Sequence, residues 1–215
     1  YNFCELTNEL LTYGNTFSGH SDTEVLLCDI EEWGLKVALQ RTVGMIALVL
    51  WDATEHTLSL CRDRLGEKPL YYGWLGKCFY FASELQAIET IAPAGLLGLD
   101  PDGLKNYLQY GYITAPHSIY RGIFKLMPGT ILSCPLQKIF DLSAFSPCAD
   151  TGPQSPKTFW TVAEAANSGL DNLFSSDEEA IKALDSLLHN TIRMQSIADV
   201  DVGIFLSAGI DSSAV

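Results

Sequence analysis

Apolar and polar positions change rhythm twice along the chain. Up to residue 41 the spacing is helical. Residues 3–13 read as a short helix ended at Gly14. In "GHSDTEVLLCDIEEWG", Ser21 and Glu24 have the spacing of a capping box, ahead of the apolar positions Val25, Leu26 and Ile30. That helix is predicted to stop near Gly34, with a further short one over 35–41. From Gly44 the texture turns to short runs of aromatic and branched residues, "GMIALVLWD", "TLSLCRD", "PLYYGW" and "CFYFAS". Turn-forming segments such as "DATEH" and "LG" separate them, which predicts antiparallel sheet. Several runs are apolar on both faces, so the sheet is expected to be covered on both sides.

Further on, "DPDGLKNYLQYG" (100–111) predicts a helix with Asp100 as N-cap and Pro101 in its first position. "GTILSCPL" predicts another strand. Residues 143–158 are rich in Pro, Ser and Gly, lack periodicity and read as a linker or long surface loop. The clearest helix spans Ser176 to Ser196. Ser176 and Glu179 make a second capping box, and Ala180, Ile181, Leu184, Leu187, Leu188 and Ile192 form one apolar stripe. A buried strand is expected over 201–206, so the tail reads as the opening of a parallel α/β domain.

Composition narrows the function classes. The hydrophobic share of 47% and charged share of 18% allow a packed core. A net charge of −13 argues against a nucleic-acid surface, which needs clustered Lys and Arg. ATP is not excluded, because backbone amides rather than bulk charge hold phosphates. The six cysteines carry no C-x-x-C pair and read as reduced, mostly buried thiols of a cytosolic protein. "MIALVLW" (45–51) is too short to span a bilayer, and no leader is visible, so the chain reads as soluble.

The most informative stretch is "FLSAGIDSS". An apolar run delivers the chain to Ser207, and Gly209 permits close backbone approach. Ser207, Ser212 and Ser213 supply hydroxyl donors, and a helix starting near Asp211 would aim free amides at an anion. These parts suit pyrophosphate. The absence of a terminal Lys rules out the Walker-type loop. The bland alternative is a serine-capped turn ahead of a structural helix.

The loop resembles the "S-G-G-x-D-S" loop of the ATP pyrophosphatases, with Ala208 in place of the first Gly. An Ala there adds a methyl group and restricts positive φ, which is expected to lower phosphate affinity. In front of it, "YN", "SGHSDTEVLL", "RDRLGEKPLYY", "FASEL", "YGYITAPHSIYRGIFKLMPGT" and "FWTVAEAA" stand in the order found in glutamine-hydrolysing asparagine synthetases. The resemblance runs from Tyr1 to Val215. It implies an α+β fold: an incomplete αββα sandwich of the N-terminal-nucleophile type, then the start of an α/β ATP-pyrophosphatase domain. The expected division is an amidotransferase domain over 1–142, a linker over 143–160 and the opening of a synthetase domain over 161–215.

The resemblance also assigns roles. Asp22 matches the aspartate that binds the α-amino group of glutamine, although an acidic residue in a first helical turn is also favoured by the dipole alone. Leu206 matches a position contacting ATP, and Ser207, Gly209, Ile210, Asp211, Ser212 and Ser213 match the loop, with Asp211 near magnesium-bound phosphates. Arg62, Asp63, Gly66 and Pro69, and Ser83 with Glu84, are assigned to architecture. ATP and Mg2+ are the implied cofactors, with no metal ligand named. Glutamine, aspartate and ATP are the implied partners, without nucleic acid or membrane, and a homodimer is admitted. The family's nucleophile is an amino-terminal cysteine. Tyr1 cannot replace it, and Cys4 is expected to be buried on the first helix. The chain therefore reads as an internal piece, inactive by itself. Two alternatives stay open for the parent: an amidotransferase acting on another carboxylate, such as a surface-polysaccharide sugar acid, and a non-catalytic homologue. Glutamine-dependent phosphoribosyl and hexosamine enzymes share the first domain only.

Overall fold

The computed structural model describes residues 2–141, 145–198 and 200–214. Tyr1 of the "YN" motif and residues 143 and 144 of the expected linker lie outside them. The chain divides into two compact units, one formed by residues 1–43 with 163–215 and the other by 44–162.

The first unit opens with α1 (Phe3–Thr12), α2 (Asp22–Trp33) and α3 (Leu35–Arg41). Leu6 and Leu10 of α1 lie one helical turn apart and pack against Val25 of α2, with Phe3, Phe17, Cys28 and Trp33 around them. Arg41 ties the three helices together. It pairs with Glu9 at 2.8 Å and with Asp29 at 3.3 Å, and its guanidinium lies 3.9 Å from the centre of the Trp33 ring. Asp29 is fully buried, and burial raises its pKa although Arg41 pulls it down. Asn2 pins the exit of α3. Its side chain donates to the Arg41 carbonyl at 3.1 Å and accepts from the Val43 amide at 2.8 Å.

The second unit holds β1 (Ala47–Asp52), β2 (Thr57–Arg62), β3 (Tyr71–Leu75), β4 (Cys78–Ala82), α4 (Leu85–Ile91), α5 (Pro101–Tyr110), β5 (Ile123–Lys125), β6 (Thr130–Pro135) and β7 (Lys157–Thr158). Two antiparallel sheets result, with orders β1-β2-β6-β7 and β4-β3-β5. They meet face to face. Leu60 of β2 and Leu132 and Cys134 of β6 share one core with Tyr72 of β3, flanked by Val49, Trp74, Phe79 and Phe124. Each such side chain, fully buried, stabilises the fold by roughly 1.5–3 kcal/mol. On the outer face of the smaller sheet, Leu75 and Ile123 bury Ile88 of α4. The expected α+β class with two antiparallel sheets is what this unit adopts.

One polar atom inside that core has no partner. Tyr72 is fully buried and its hydroxyl makes no hydrogen bond among the described residues. Tyr72→Phe keeps the ring contacts with Trp74, Phe124 and Phe145 and removes a desolvated hydroxyl. The urea midpoint is expected to stay level or rise, by up to about 1 kcal/mol in stability. A clear fall would show that the hydroxyl is satisfied after all.

Beyond the sandwich, α6 (Val162–Leu170), α7 (Asp177–Gln195) and α8 (Ile210–Ala214) complete the chain. Among the described residues no helix is long and apolar enough to cross a membrane.

Four expectations are corrected. The strand over 201–206 does not form: 201–207 has no regular structure and Phe205 is fully exposed. A strand exists only when neighbours take its backbone groups, and none pairs with this segment among the described residues. The stripe on α7 is likewise uncovered, with Ile181, Leu184, Leu187 and Leu188 all exposed. The segment read as a linker is partly built into the second unit. Phe145 packs 4.6 Å from Trp74 centre to centre, and β7 extends the larger sheet. Finally, the cysteines are free, but only Cys61 and Cys134 are buried. Burial pushes the Cys61 thiol up to about 12 and that of Cys134 to about 11. Cys28 is half-buried beside the helical core, Cys78 at the start of β4 and Cys148 are exposed, and Cys4 is exposed rather than buried on α1.

Candidate functional site

Asp22 stands at the first position of α2, with its side chain exposed. Ser21 caps the helix by accepting from the Thr23 amide at 3.2 Å. Among the described residues, Asp22 itself accepts only from the Thr23 hydroxyl, at 3.3 Å. An acidic group here gains from the helix dipole and remains available to a cation. Residues of the turn ahead of α2 help line a cavity of about 270 Å³, whose lining does not include Asp22. Phe3, Cys4, Thr7 and Asn8 of α1, Phe17, Gly19 and His20 ahead of α2, and Val25 of α2 line it. The lining combines apolar side chains with the amide of Asn8, the thiol of Cys4 and the imidazole of His20, and no residue pattern in the sequence foretold it.

The second cluster is the loop over 207–213. Here the structure brings the expected residues together. The Ser207 and Ser212 hydroxyls bond each other at 2.6 Å, and the Ser207 hydroxyl accepts from the Gly209 amide at 3.2 Å. The Ser212 and Ser213 hydroxyls donate to the Gly209 carbonyl at 3.2 and 2.8 Å. The three hydroxyls thus all bond within the loop through Gly209 or each other, and Ile210 and Asp211 begin α8. A pyrophosphate would exchange those internal partners for its own oxygens, and the donor set fits it. Neither Ala208 nor Gly209 has a positive φ. The methyl group of Ala208 therefore meets no backbone strain in this conformation. What Gly209 provides is space, since a Cβ there would come within 3.3 Å of the Ser207 hydroxyl. Leu206 is exposed and ends the irregular segment before the loop. No hydrogen bond or ion pair among the described residues joins Asp22 to this loop. Nor do they include a cluster of three or more His, Cys, Asp or Glu side chains able to hold a metal ion.

Of the residues assigned to architecture, Arg62, Asp63 and Gly66 are used that way. Arg62 donates to the carbonyls of Lys68, Leu126 and Gly66 at 2.7, 2.7 and 2.6 Å. Burial lowers its pKa, with Asp63 opposing. The Asp63 carboxylate takes the amides of Ile46, Glu67 and Lys68. Each charge is thus satisfied by loop backbone. Gly66 has φ +69°, and a Cβ there would meet Pro128 at 2.9 Å. Ser83 and Glu84 are exposed at the start of α4, where Glu84 makes no side-chain cap bond.

Comparison with known proteins agrees with the order of these parts. The glutamine amidotransferase domain family matches residues 1–143, and the asparagine synthase family matches residues 183–215. "Asparagine synthetase [glutamine-hydrolyzing] 1" of Bacillus subtilis (strain 168) is 28% identical, over all of this chain and 30% of that protein. "Putative asparagine synthetase [glutamine-hydrolyzing] 2" of Methanocaldococcus jannaschii is 30% identical, over all of this chain and 38% of its own length. The chain thus spans about a third of these relatives. Among solved structures, one described as the allosteric regulatory enzyme of purine biosynthesis aligns with a TM-score of 0.45 and 23% identity, over 63% of this chain and 24% of that one.

Proposed function

Because the chain belongs to the glutamine amidotransferase family through residues 1–143, we propose that it serves a glutamine-dependent, ATP-using carbon–nitrogen ligase that makes asparagine from aspartate. The observation that carries this reading is the succession of two parts in one chain: an amidotransferase match, then the serine-rich loop inside an asparagine synthase match. In this reading residues 1–142 belong to the amide-donor part, 143–160 connect, and 161–215 open the synthetase part. The enzyme works on small molecules in the cytoplasm.

Asp22 pairs with the α-ammonium group of glutamine, which its exposed carboxylate at the start of α2 suits. The backbone at Leu206 would border the nucleotide, and Ser207, Gly209, Ile210, Asp211, Ser212 and Ser213 would hold the pyrophosphate part, Asp211 orienting its magnesium-bound phosphates. ATP supplies the activation that a carboxylate needs before an amine can attack it. The released products are asparagine, glutamate, AMP and pyrophosphate, so atoms balance with one water consumed in glutamine hydrolysis.

The test is pyrophosphate release by the intact protein against a panel of carboxylates including aspartate and a sugar acid. Asp22→Asn is run alongside. The variant is expected to lower the ratio of glutamine-supported to ammonia-supported synthesis about 100-fold, the scale of losing one partner of a desolvated charge pair. Turnover of a sugar acid but not aspartate would replace the acceptor. Absence of turnover with every carboxylate would end the ligase reading.

A further inference from the structure

In a capping box the glutamate at the third helical position reaches back to the amide of the residue capping its own helix. Glu179 nearly does this at α7, taking the Ser175 amide, one residue ahead of the cap, at 2.9 Å. Glu24 has the same spacing from Ser21 and behaves differently. One of its carboxylate oxygens accepts from the Ser18 amide at 2.8 Å and the other from the Gly19 amide at 2.9 Å. It therefore closes the turn that leads into the helix. Both oxygens are engaged on successive main-chain donors, a charge-assisted fork that fixes direction as well as distance.

That turn helps line the cavity. Phe17, Gly19 and His20 line it, and Asp22 follows two residues later. Among the described residues the Asp22 carboxylate is tethered only by its neighbour Thr23, so the backbone entering α2 sets where it points. Residues 18–21 are Ser-Gly-His-Ser, a composition that would sample many conformations if left free. Residue 19 is sized for the clamp, since a Cβ there would lie 3.3 Å from the Glu24 carboxylate.

We infer that Glu24 is the positioning residue of the amino-acid site: it never touches the ligand, and it holds the turn that aims Asp22 and shapes the cavity wall. This rests on the reading of Asp22 as the ammonium partner. A turn already ordered spares the ligand the entropy of ordering it, so the clamp acts on binding and not on later chemistry.

The experiment compares Glu24→Gln, Glu24→Ala and Asp22→Asn in the intact protein, measuring KM and kcat for glutamine and, in parallel, ammonia-supported synthesis. Glutamine has the shape of the glutamate but offers one acceptor and turns an NH2 toward the second amide. Both Glu24 variants are expected to raise KM for glutamine about tenfold, as for loss of a hydrogen bond to a charged group, with kcat little changed. Faster amide exchange at Ser18 and Gly19 accompanies the rise. If Asp22→Asn raises KM and neither Glu24 variant does, the clamp has no positioning role and the site reading survives. A parallel fall in ammonia-supported synthesis would make Glu24 a general stability residue and overturn the inference. If Asp22→Asn leaves KM unchanged, the site reading falls and the inference falls with it. Should Glu24→Ala fail to fold, the near-isosteric Glu24→Gln separates the same outcomes.

Discussion

Gly73→Ala is expected to abolish the folded second unit. Gly73 lies in the middle of β3, opposite Tyr80 of β4 on one side and Ile123 of β5 on the other. A Cβ at this position would sit 1.9 Å from the Gly122 carbonyl oxygen and 2.8 Å from both the Gly122 carbonyl carbon and the Ile123 Cα. All three are backbone atoms, so no rotamer change relieves the overlap. The only escape is for β5 to move off β3. That breaks the bond from the Trp74 amide to the Gly122 carbonyl, now 3.0 Å, and pulls Ile123 away from Leu75 and Ile88. Overpacking in a well-packed core costs about 1–3 kcal/mol where side chains can yield, and a backbone clash exceeds that range. Whole domains have only about 5–15 kcal/mol in reserve. The expected result is loss of a cooperative urea transition and of near-ultraviolet ellipticity. A variant that unfolds cooperatively at the parent's midpoint would show that β5 is not held against β3 as described.

The second large effect is expected for Asp63→Ala. Asp63 is buried, and its carboxylate ties the 66–68 loop to the entry of β1. One oxygen accepts from the Glu67 amide at 2.8 Å, and the other from the Lys68 amide at 2.9 Å and the Ile46 amide at 3.2 Å. Its backbone is engaged as well, with the carbonyl accepting from Gly129 at 2.8 Å. Alanine strands three amides at once. At roughly 1–3 kcal/mol for each donor left unsatisfied, and less for those that water reaches, the loss is expected near about 4 kcal/mol. Asp63→Asn keeps one acceptor and is expected to fall between parent and alanine. Arg62 grips the same loop through the Gly66 and Lys68 carbonyls, so Arg62→Met with Asp63→Ala is expected to cost less than the sum of the two. Urea midpoints of the four proteins decide it. Strict additivity would mean that the two residues hold separate structures.

The helices with local start signals were legible without any fold. Ser21, Asp100 and Ser176 cap where their spacing says, because a cap joins residues only two or three apart. The runs that became β1 to β4 and β6 were legible too, since short runs of branched and aromatic residues bounded by turn-formers suit a pleated strand. Other elements were not, among them α4 and β5. The seven residues of α4 have no side-chain cap and hold together through Ile88 buried against Leu75 and Ile123. β5 is three residues long and exists by pairing with β3. At the candidate sites, the identities of Asp22 and the loop serines stood in the motifs, whereas the cavity did not, because its walls come from separate stretches of the chain.

The sequence by itself therefore determined the helix starts, the strand-forming runs, the α+β class and the residue types that could serve a glutamine and pyrophosphate chemistry. All of these depend on neighbours within a few residues. Tertiary structure alone decided three matters. It decided that 201–206 stays irregular, because backbone pairing needs a second strand and sequence cannot supply one locally. It decided that Phe145, from a stretch of loop composition, joins the aromatic core, because burial depends on which surface lies opposite. And it decided that Glu24 closes the turn before its helix and leaves the cap to Ser21, because a side chain with two acceptors goes to whichever donors the folded chain brings within about 3 Å.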